Sequence, residues 1–249
     1  MHTRRGKTPR DNERLPLTSP TVHSFVINLA RRVDRRERME LRLQAHSFPG
    51  WMFVEGLDAR ELSTPPEGTL TSLTLYSAWT SHTRAMEKIH QGDADFGLVL
   101  EDDAVFNSAV DWPVTLEAIE GFMSSERIDY LQIGHISAAY PKRPFSGLVS
   151  QFAGRRNARP QQVIPELGKS VELGVSRAGA HAYVISRRLS GLAPKYNTPT
   201  WVGPDGFFDR FASATFADGS LLMGTLTESL VEQESREYVG SQIDSDNFS

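Results

Sequence analysis

The 249-residue sequence contains no cysteine. A disulfide scaffold, a thiolate zinc site and a thiol nucleophile are excluded together, and the composition suits a reducing compartment. An excess of basic charge is also missing: 27 lysines and arginines face 31 aspartates and glutamates, which leaves no electrostatic footprint for nucleic acid. No apolar run approaches the roughly 18 residues that a membrane helix needs. The sequence has neither a GxGxxG turn nor a Walker loop, which argues against dinucleotide-dependent dehydrogenases and P-loop NTPases. Residues 1–20 have no apolar signal-peptide core. They hold five basic residues and three prolines and read as a flexible tail, one whose charge also admits peripheral contact with an anionic membrane. A cytoplasmic protein is the expectation, and the sequence carries no signal of oligomeric state.

A chain of this length hides about 70–75% of its unfolded surface and needs no covalent staple. A single α/β domain over 21–232 fits the pattern of elements. The run Val22 to Leu29 predicts a buried strand, and Asp34 with Glu37 predicts a capping box at the start of a helix carrying Met39 and Leu43 on one face. Trp51 to Val54 predicts a second strand. Tyr76, Trp79, Met86 and Ile89 recur at helical spacing up to Gly92, and Phe96 to Leu100 predicts a third, central strand. Val114–Met123 and Asp205–Ala214 read as helices, and segments near 129–133, 171–175, 180–186 and 221–226 as strands. Such alternation predicts a mostly parallel central sheet flanked by helices. Residues 135–170, rich in Pro, Gly, Arg and Gln, predict a flap or acceptor loop, and 233–249 a polar tail.

Two places carry chemistry. The third strand delivers Glu101, Asp102 and Asp103 to its C-terminal end, where open α/β sheets place their ligand crevice. Three adjacent carboxylates repel unless water or a cation neutralises them. Strand alternation predicts Glu101 and Asp103 on one side and Asp102 on the other. Hard oxygen donors at this spacing suit Mg²⁺ or Mn²⁺; a solvated acidic turn is the plainer alternative. At the first strand-to-helix turn, Arg31, Arg32, Arg35 and Arg36 crowd a helix N-terminus, a place suited to phosphate, or simply to a charged helix face paired with Glu37 and Glu40.

The order of these features resembles glycosyltransferase family 25, the group that includes lipopolysaccharide sugar transferases and collagen galactosyltransferases. The resemblance spans about residues 22–210. Its carriers are Ile27-Asn28-Leu29 with Arg32, Asp34 and Arg35, then Ser81-His82, then Leu100-Glu101-Asp102-Asp103, then Gly179 to Ser186, and finally Pro204-Asp205. The family's usual Gly-Cys ahead of the Ser-His pair is Ser77-Ala78 here. The resemblance implies a GT-A-like fold, a UDP-sugar donor and Mn²⁺ (or Mg²⁺) as cofactor. It implies Asn28, Arg32, Asp34, Arg35, Ser81, His82, Glu101 and Asp102 around the donor, and Asp103 with Glu101 at the metal. An inverting transfer further needs a carboxylate base. Asp205 is the candidate, also readable as a helix N-cap, with Asp209 one turn on. The implied activity moves a hexose, galactose or glucose, to a hydroxyl of a glycan or similar acceptor, as in lipopolysaccharide biosynthesis. A catalytically impaired nucleotide-sugar or glycan-binding module and a metal-dependent phosphohydrolase are the competing readings.

Overall fold

The computed structural model describes residues 22–136 and 161–234. The expected N-terminal tail, most of the expected flap and residues 235–249 lie outside the described residues. In chain order, β1 (His23–Asn28) leads through α1 (Val33–Ala45) to β2 (Trp51–Glu55) and a 3-10 turn at Ala59–Glu61. Then come α2 (Leu73–Gln91), β3 (Phe96–Glu101), β4 (Ala104–Phe106), α3 (Trp112–Glu126) and β5 (Tyr130–Gly134). The second described segment holds β6 (Gln161–Ile164), β7 (Lys169–Leu173), β8 (Ala182–Ser186), α4 (Arg187–Tyr196), α5 (Pro204–Asp218), β9 (Met223–Leu226) and β10 (Val231–Gln233).

These strands form one sheet in the order β2-β1-β3-β8-β5-β9-β7-β6, with β4 and β10 joined beside it. The pairs of β1 with β2, β1 with β3 and β5 with β9 are parallel, as α-helical crossovers require. β8 is different: it runs antiparallel to both β3 and β5. Its N-terminal end therefore lies at the edge where β3 and β5 finish, so the residues entering β8 meet the residues leaving β3.

Two apolar cores sandwich the sheet. Alternation along β3 sends Leu98 and Leu100 to one face and Val99 to the other. The first face is covered by Met39 and Leu43 of α1 and Leu116, Ile119 and Met123 of α3. The second is covered by Trp79 and Met86 of α2, Leu189 of α4 and Phe207 and Phe208 of α5. A single α/β domain with helices on both faces results.

Local details differ from the sequence reading in three places. Helix α1 begins one residue before Asp34, with Arg32 at the N-cap position and no side-chain cap. The turn Arg32 N to Leu29 O, 2.8 Å, starts the helix early and leaves Asp34 in its first turn, where a carboxylate favours the positive end of the helix. Residues 161–164, inside the expected flap, pair with β7 as a hairpin on the sheet edge. Gln233, at the start of the expected tail, closes β10 against β4.

Leu98 is fully buried at the centre of the larger core. Leu98→Ala is expected to cost about 2–5 kcal/mol, read as a lower urea midpoint at an unchanged slope.

Candidate active site

The chemistry-bearing residues meet at the C-terminal ends of β1 and β3. β1 ends in Asn28, whose side-chain amide donates to Arg32 O at 3.2 Å and to Asp102 Oδ2 at 2.7 Å. This one buried amide fixes the first turn and grips the acidic segment. One turn into α1, Arg35 Nη1 donates to Asp102 Oδ1 at 2.9 Å and to Asp103 Oδ2 at 3.2 Å. Arg32 makes a two-nitrogen fork to Asp34, at 2.9 Å from each oxygen, and Arg31 pairs with Asp58, which also accepts from Arg60 N at 3.0 Å.

A crevice of about 450 Å³ opens beside these groups. Its walls include Arg31, Arg32 and Arg35 on the α1 side, Ser77, Ala78, Ser81 and His82 on α2, and Glu101 and Asp102 at its acidic end. The small side chains at 77, 78 and 81 are what leave room there. Ser81 is also structural: its hydroxyl donates to Ser77 O at 2.7 Å and accepts from Leu57 N at 2.8 Å, which ties α2 to the loop after β2.

The expected strand alternation stops at Glu101. The chain turns at Asp102 and Asp103 before β4, so Glu101 and Asp102 line the crevice and Asp103 does not, although Asp102 and Asp103 are equally buried. Asp103 Oδ2 also accepts from Gln233 Nε2 at 3.3 Å, and its carbonyl accepts from Glu234 N at 2.8 Å. Arg42 of α1 holds Glu234 in turn, at 3.1 Å. Gln233 and Glu234 are functional neighbours that sequence reasoning missed, because nothing local marks a residue 130 positions away as a partner of the acidic turn.

His82 sits between Glu101 and Tyr183, its Nε2 3.3 Å from Glu101 Oε1 and its Nδ1 3.0 Å from the Tyr183 hydroxyl. The neutral tautomer that satisfies both donates from Nε2 to the carboxylate and accepts the phenol proton at Nδ1. Tyr183 on β8 lies in the Gly179–Ser186 segment that carries the family resemblance but had no assigned role at the site; its place opposite Val99 in the β3–β8 ladder brings it there.

Electrostatics separate the three carboxyls. Burial, the largest single influence, pushes Glu101 up, but the His82 hydrogen bond and the positive charges around it, Arg35 among them, together outweigh it and hold Glu101 below its ordinary value. Asp102 is raised by burial, partly offset by Arg35 and Asn28. Asp103 is pushed up to about 7, first by burial and then by the charges of Glu101 and Asp102. Its Oδ1 is buried with no hydrogen-bond partner. Among the described residues, no three His, Asp or Glu side chains come together as a metal cage.

Asp205 and Asp209 do not line this crevice. Neither is the N-cap of α5, a position held by Gly203. Both Asp205 oxygens accept backbone hydrogen bonds, from Gly179 N at 2.9 Å and Ala180 N at 2.7 Å. The next residue, His181, accepts from Glu101 N at 2.9 Å through its carbonyl. Asp205 therefore lies on the same sheet edge as the acidic turn and braces it through the 179–181 backbone. Gly179 adopts φ +93°, and a side chain there would strike Ile136 and His181, so the bracing segment needs glycine. Asp209 is exposed one turn further along α5. Asp34 is exposed as well, outside the crevice lining.

Comparison with known proteins gives a family match. The sequence model of glycosyltransferase family 25 (LPS biosynthesis protein) matches residues 21–190. Among solved structures, the chain is similar to a crystal structure of a glycosyltransferase involved in the glycosylation of the major capsid of PBCV-1. The two share 13% identity over 72% of this chain and 67% of that chain, with a TM-score of 0.35. None of the curated proteins matches the sequence.

The raised Asp103 makes a stability prediction. Its carboxyl ionises near pH 4 in the unfolded chain and near 7 in the folded one, so its penalty grows as pH rises from about 4 to 7 and is constant above. In metal-free buffer, Asp103→Asn is expected to be more stable than the parent by about 2 kcal/mol at pH 8. The gap, measured by urea unfolding, should close as pH falls towards about 4.

Proposed function

The chain belongs to glycosyltransferase family 25, and from that premise we propose that its crevice binds a UDP-sugar whose hexose, galactose or glucose, passes with inversion to a hydroxyl of a glycan or similar acceptor. The observation that carries this reading is the convergence of Arg31, Arg32 and Arg35 with Glu101 and Asp102 on one crevice at the ends of β1 and β3. A nucleoside diphosphate needs cations for its phosphates and hydrogen-bond acceptors for its ribose and sugar hydroxyls. Both are present here, within one small volume. The first turn of α1, with no side-chain cap, adds N–H groups and the positive end of a helix on the phosphate side. We assign the reaction to the cytoplasm, the compartment that a cysteine-free chain suits.

In this reading the residues divide the work. Arg32, oriented by its fork to Asp34, and Arg35, held by Asp102, meet the diphosphate. Asn28 fixes Asp102 so that its carboxylate presents one geometry to the nucleotide side. Glu101, held below its ordinary value by the His82 hydrogen bond and the positive charges around it, accepts from donor hydroxyls. Ser81 preserves the crevice wall by holding the loop that carries Asp58. The buried, unpartnered oxygen of Asp103 and the all-oxygen donor set fit a hard divalent cation, Mn²⁺ or Mg²⁺, which needs only one or two protein carboxylates beside substrate phosphates. Asp103 and Glu101 would hold it. When bound, such an ion stabilises the negative charge that builds on the departing phosphate oxygens.

Transfer also moves a proton. The acceptor hydroxyl gives its hydrogen to a carboxylate as its oxygen bonds to the anomeric carbon and the diphosphate leaves on the opposite side. Asp205 is our assignment, because its exposed carboxylate is fixed by two backbone N–H groups on the edge where the acidic turn lies. Asp209 is the second candidate. Family membership leaves the phosphohydrolase reading without support. The binding-module reading draws on one observation, that Asp205 stands outside the crevice lining.

Incubation with UDP-galactose, UDP-glucose and UDP-N-acetylglucosamine, with and without Mn²⁺, tests the assignment through release of UDP. One donor is expected to be hydrolysed slowly with metal, and Asp103→Ala to lose about 100-fold or more of that rate. Calorimetry showing neither turnover nor UDP binding for any donor would overturn it. Once an acceptor is in hand, Asp205→Asn is expected to keep UDP affinity and lower transfer about 10²–10⁴-fold, with Asp209→Asn near the parent rate. Undiminished transfer in Asp205→Asn would move the base elsewhere.

A further inference from the structure

Helix α2 has a second lined face. Tyr76, Trp79, Thr80 and Thr83 lie about half a turn around the helix from the crevice residues at 74, 77, 78 and 81, and they wall a separate groove of about 310 Å³. Its other walls come from residues 66–69 and 194–200. The walls are fixed by internal hydrogen bonds. Leu70 N donates to Thr200 O at 2.8 Å, and the Thr198 hydroxyl donates to Pro194 O at 2.7 Å. The fully buried Asn197 spans its own loop, donating to Val202 O and accepting from Trp201 N. The groove is therefore formed before any ligand arrives, and its volume is at the lower end of small-molecule sites, about 300–1,000 Å³.

Its chemistry narrows the occupant. Five threonines and one tyrosine line it, with three prolines and Trp79 supplying apolar surface; Glu67 is the one charged lining residue, and no Lys, Arg or His is among them. An anion would find a carboxylate and no cation. A purely apolar ligand would leave the groove's hydroxyls stranded. A pyranose has the complementary surface: hydroxyls around its edge and flat C–H faces that rest on proline and aromatic rings. Tyr196, 57% exposed and tilted against Phe211 with ring centroids 4.9 Å apart, extends the ring surface next to Pro194.

We propose that this groove is a saccharide subsite that binds a neutral hexose unit, separate from the donor crevice and on the opposite side of α2. It deepens the glycosyltransferase reading only in purpose: a glycan acceptor anchored here is held by a sugar other than the one that reacts. The binding itself stands on the groove's own residues.

Saturation-transfer difference NMR on the full chain, with methyl galactoside and methyl glucoside as probes and no nucleotide present, tests it. The expected result is transfer to the C–H protons of at least one probe, retained in the crevice variant Arg35→Ala. The signal should fall about fivefold or more in Tyr76→Ala and in Thr80→Val, the effect of losing one ring contact or one hydrogen bond. Thr80→Val is near-isosteric and keeps the test open if Tyr76→Ala folds poorly; thermal unfolding checks both. No transfer in the parent, transfer unaffected by both groove variants, or transfer abolished by Arg35→Ala alone would each overturn the proposal. A chain that binds these probes but releases no UDP from any donor loses the transferase reading and keeps the subsite.

Discussion

Arg35 places one guanidinium nitrogen 2.9 Å from Asp102 and 3.2 Å from Asp103, and the rest of the site is arranged around that contact. Two like charges about 4 Å apart repel by roughly 4 kcal/mol at the effective dielectric of a protein surface. Three consecutive carboxylates at a half-buried strand end would cost several times a typical hydrogen bond if left alone. The structure distributes that charge: Arg35 bridges two of the groups, Asn28 takes the second oxygen of Asp102, His82 takes Glu101 and Gln233 takes Asp103. The compensation is incomplete at Asp103, whose pKa is pushed up to about 7 and whose Oδ1 has no partner. A binding site for a positively charged or proton-bearing group is most economical where such residual charge is already present, since the ligand then supplies what the fold leaves out.

The antiparallel β8 is the structural reason these partners can meet. A wholly parallel sheet would bring only strand C-termini to this edge. By reversing between β3 and β5, β8 carries Tyr183 to His82 and the 179–181 backbone to Glu101 and Asp205. Gln132 of β5 reinforces the same segment from the other side, its buried amide donating to the carbonyls of Arg177 and Gly179 at 2.9 Å each. The acidic turn is therefore braced by α1, by β8 and by β10, all distant from it in sequence. Such bracing holds charged side chains within the narrow range of positions that transition-state electrostatics require.

Periodicity made much of this legible. The buried strands β1 and β3, the long helix α2 with its Gly92 cap and the delivery of Glu101, Asp102 and Asp103 to a strand end can all be read from apolar spacing, because each is a local consequence of burial. Arg32 and Arg35 were legible as neighbours of a helix start. What failed was local geometry at boundaries: Asp34 did not cap α1, because the Leu29–Arg32 turn begins the helix sooner, and the acidic residues did not alternate, because the strand ends at Glu101. The partners of Tyr183, Gln233 and Asp58 were illegible for another reason. Their roles come from sheet order and loop closure, and neither strand pairing nor a crossover leaves a mark in the residues themselves.

Helix α2 connects the arginine-lined crevice with the threonine-lined groove. With about 3.6 residues per turn, one surface of the helix shows Thr74, Ser77, Ala78 and Ser81 to the crevice, and the opposite surface shows Tyr76, Thr80 and Thr83 to the groove. A third stripe, Met86 and Ile89 with Trp79, whose edge borders the groove, is buried against α5, α4 and the sheet. That burial prevents the helix from rotating, since any turn that improved one face would expose indole or thioether surface worth about 1.5–3 kcal/mol per side chain. The two faces are thus held at a fixed separation of about one helix diameter, roughly 10–12 Å with side chains. In the proposed reading, a rigid spacer of that length between crevice and groove sets a register, so that an acceptor longer than a single sugar is measured from its anchored unit to its reacting hydroxyl.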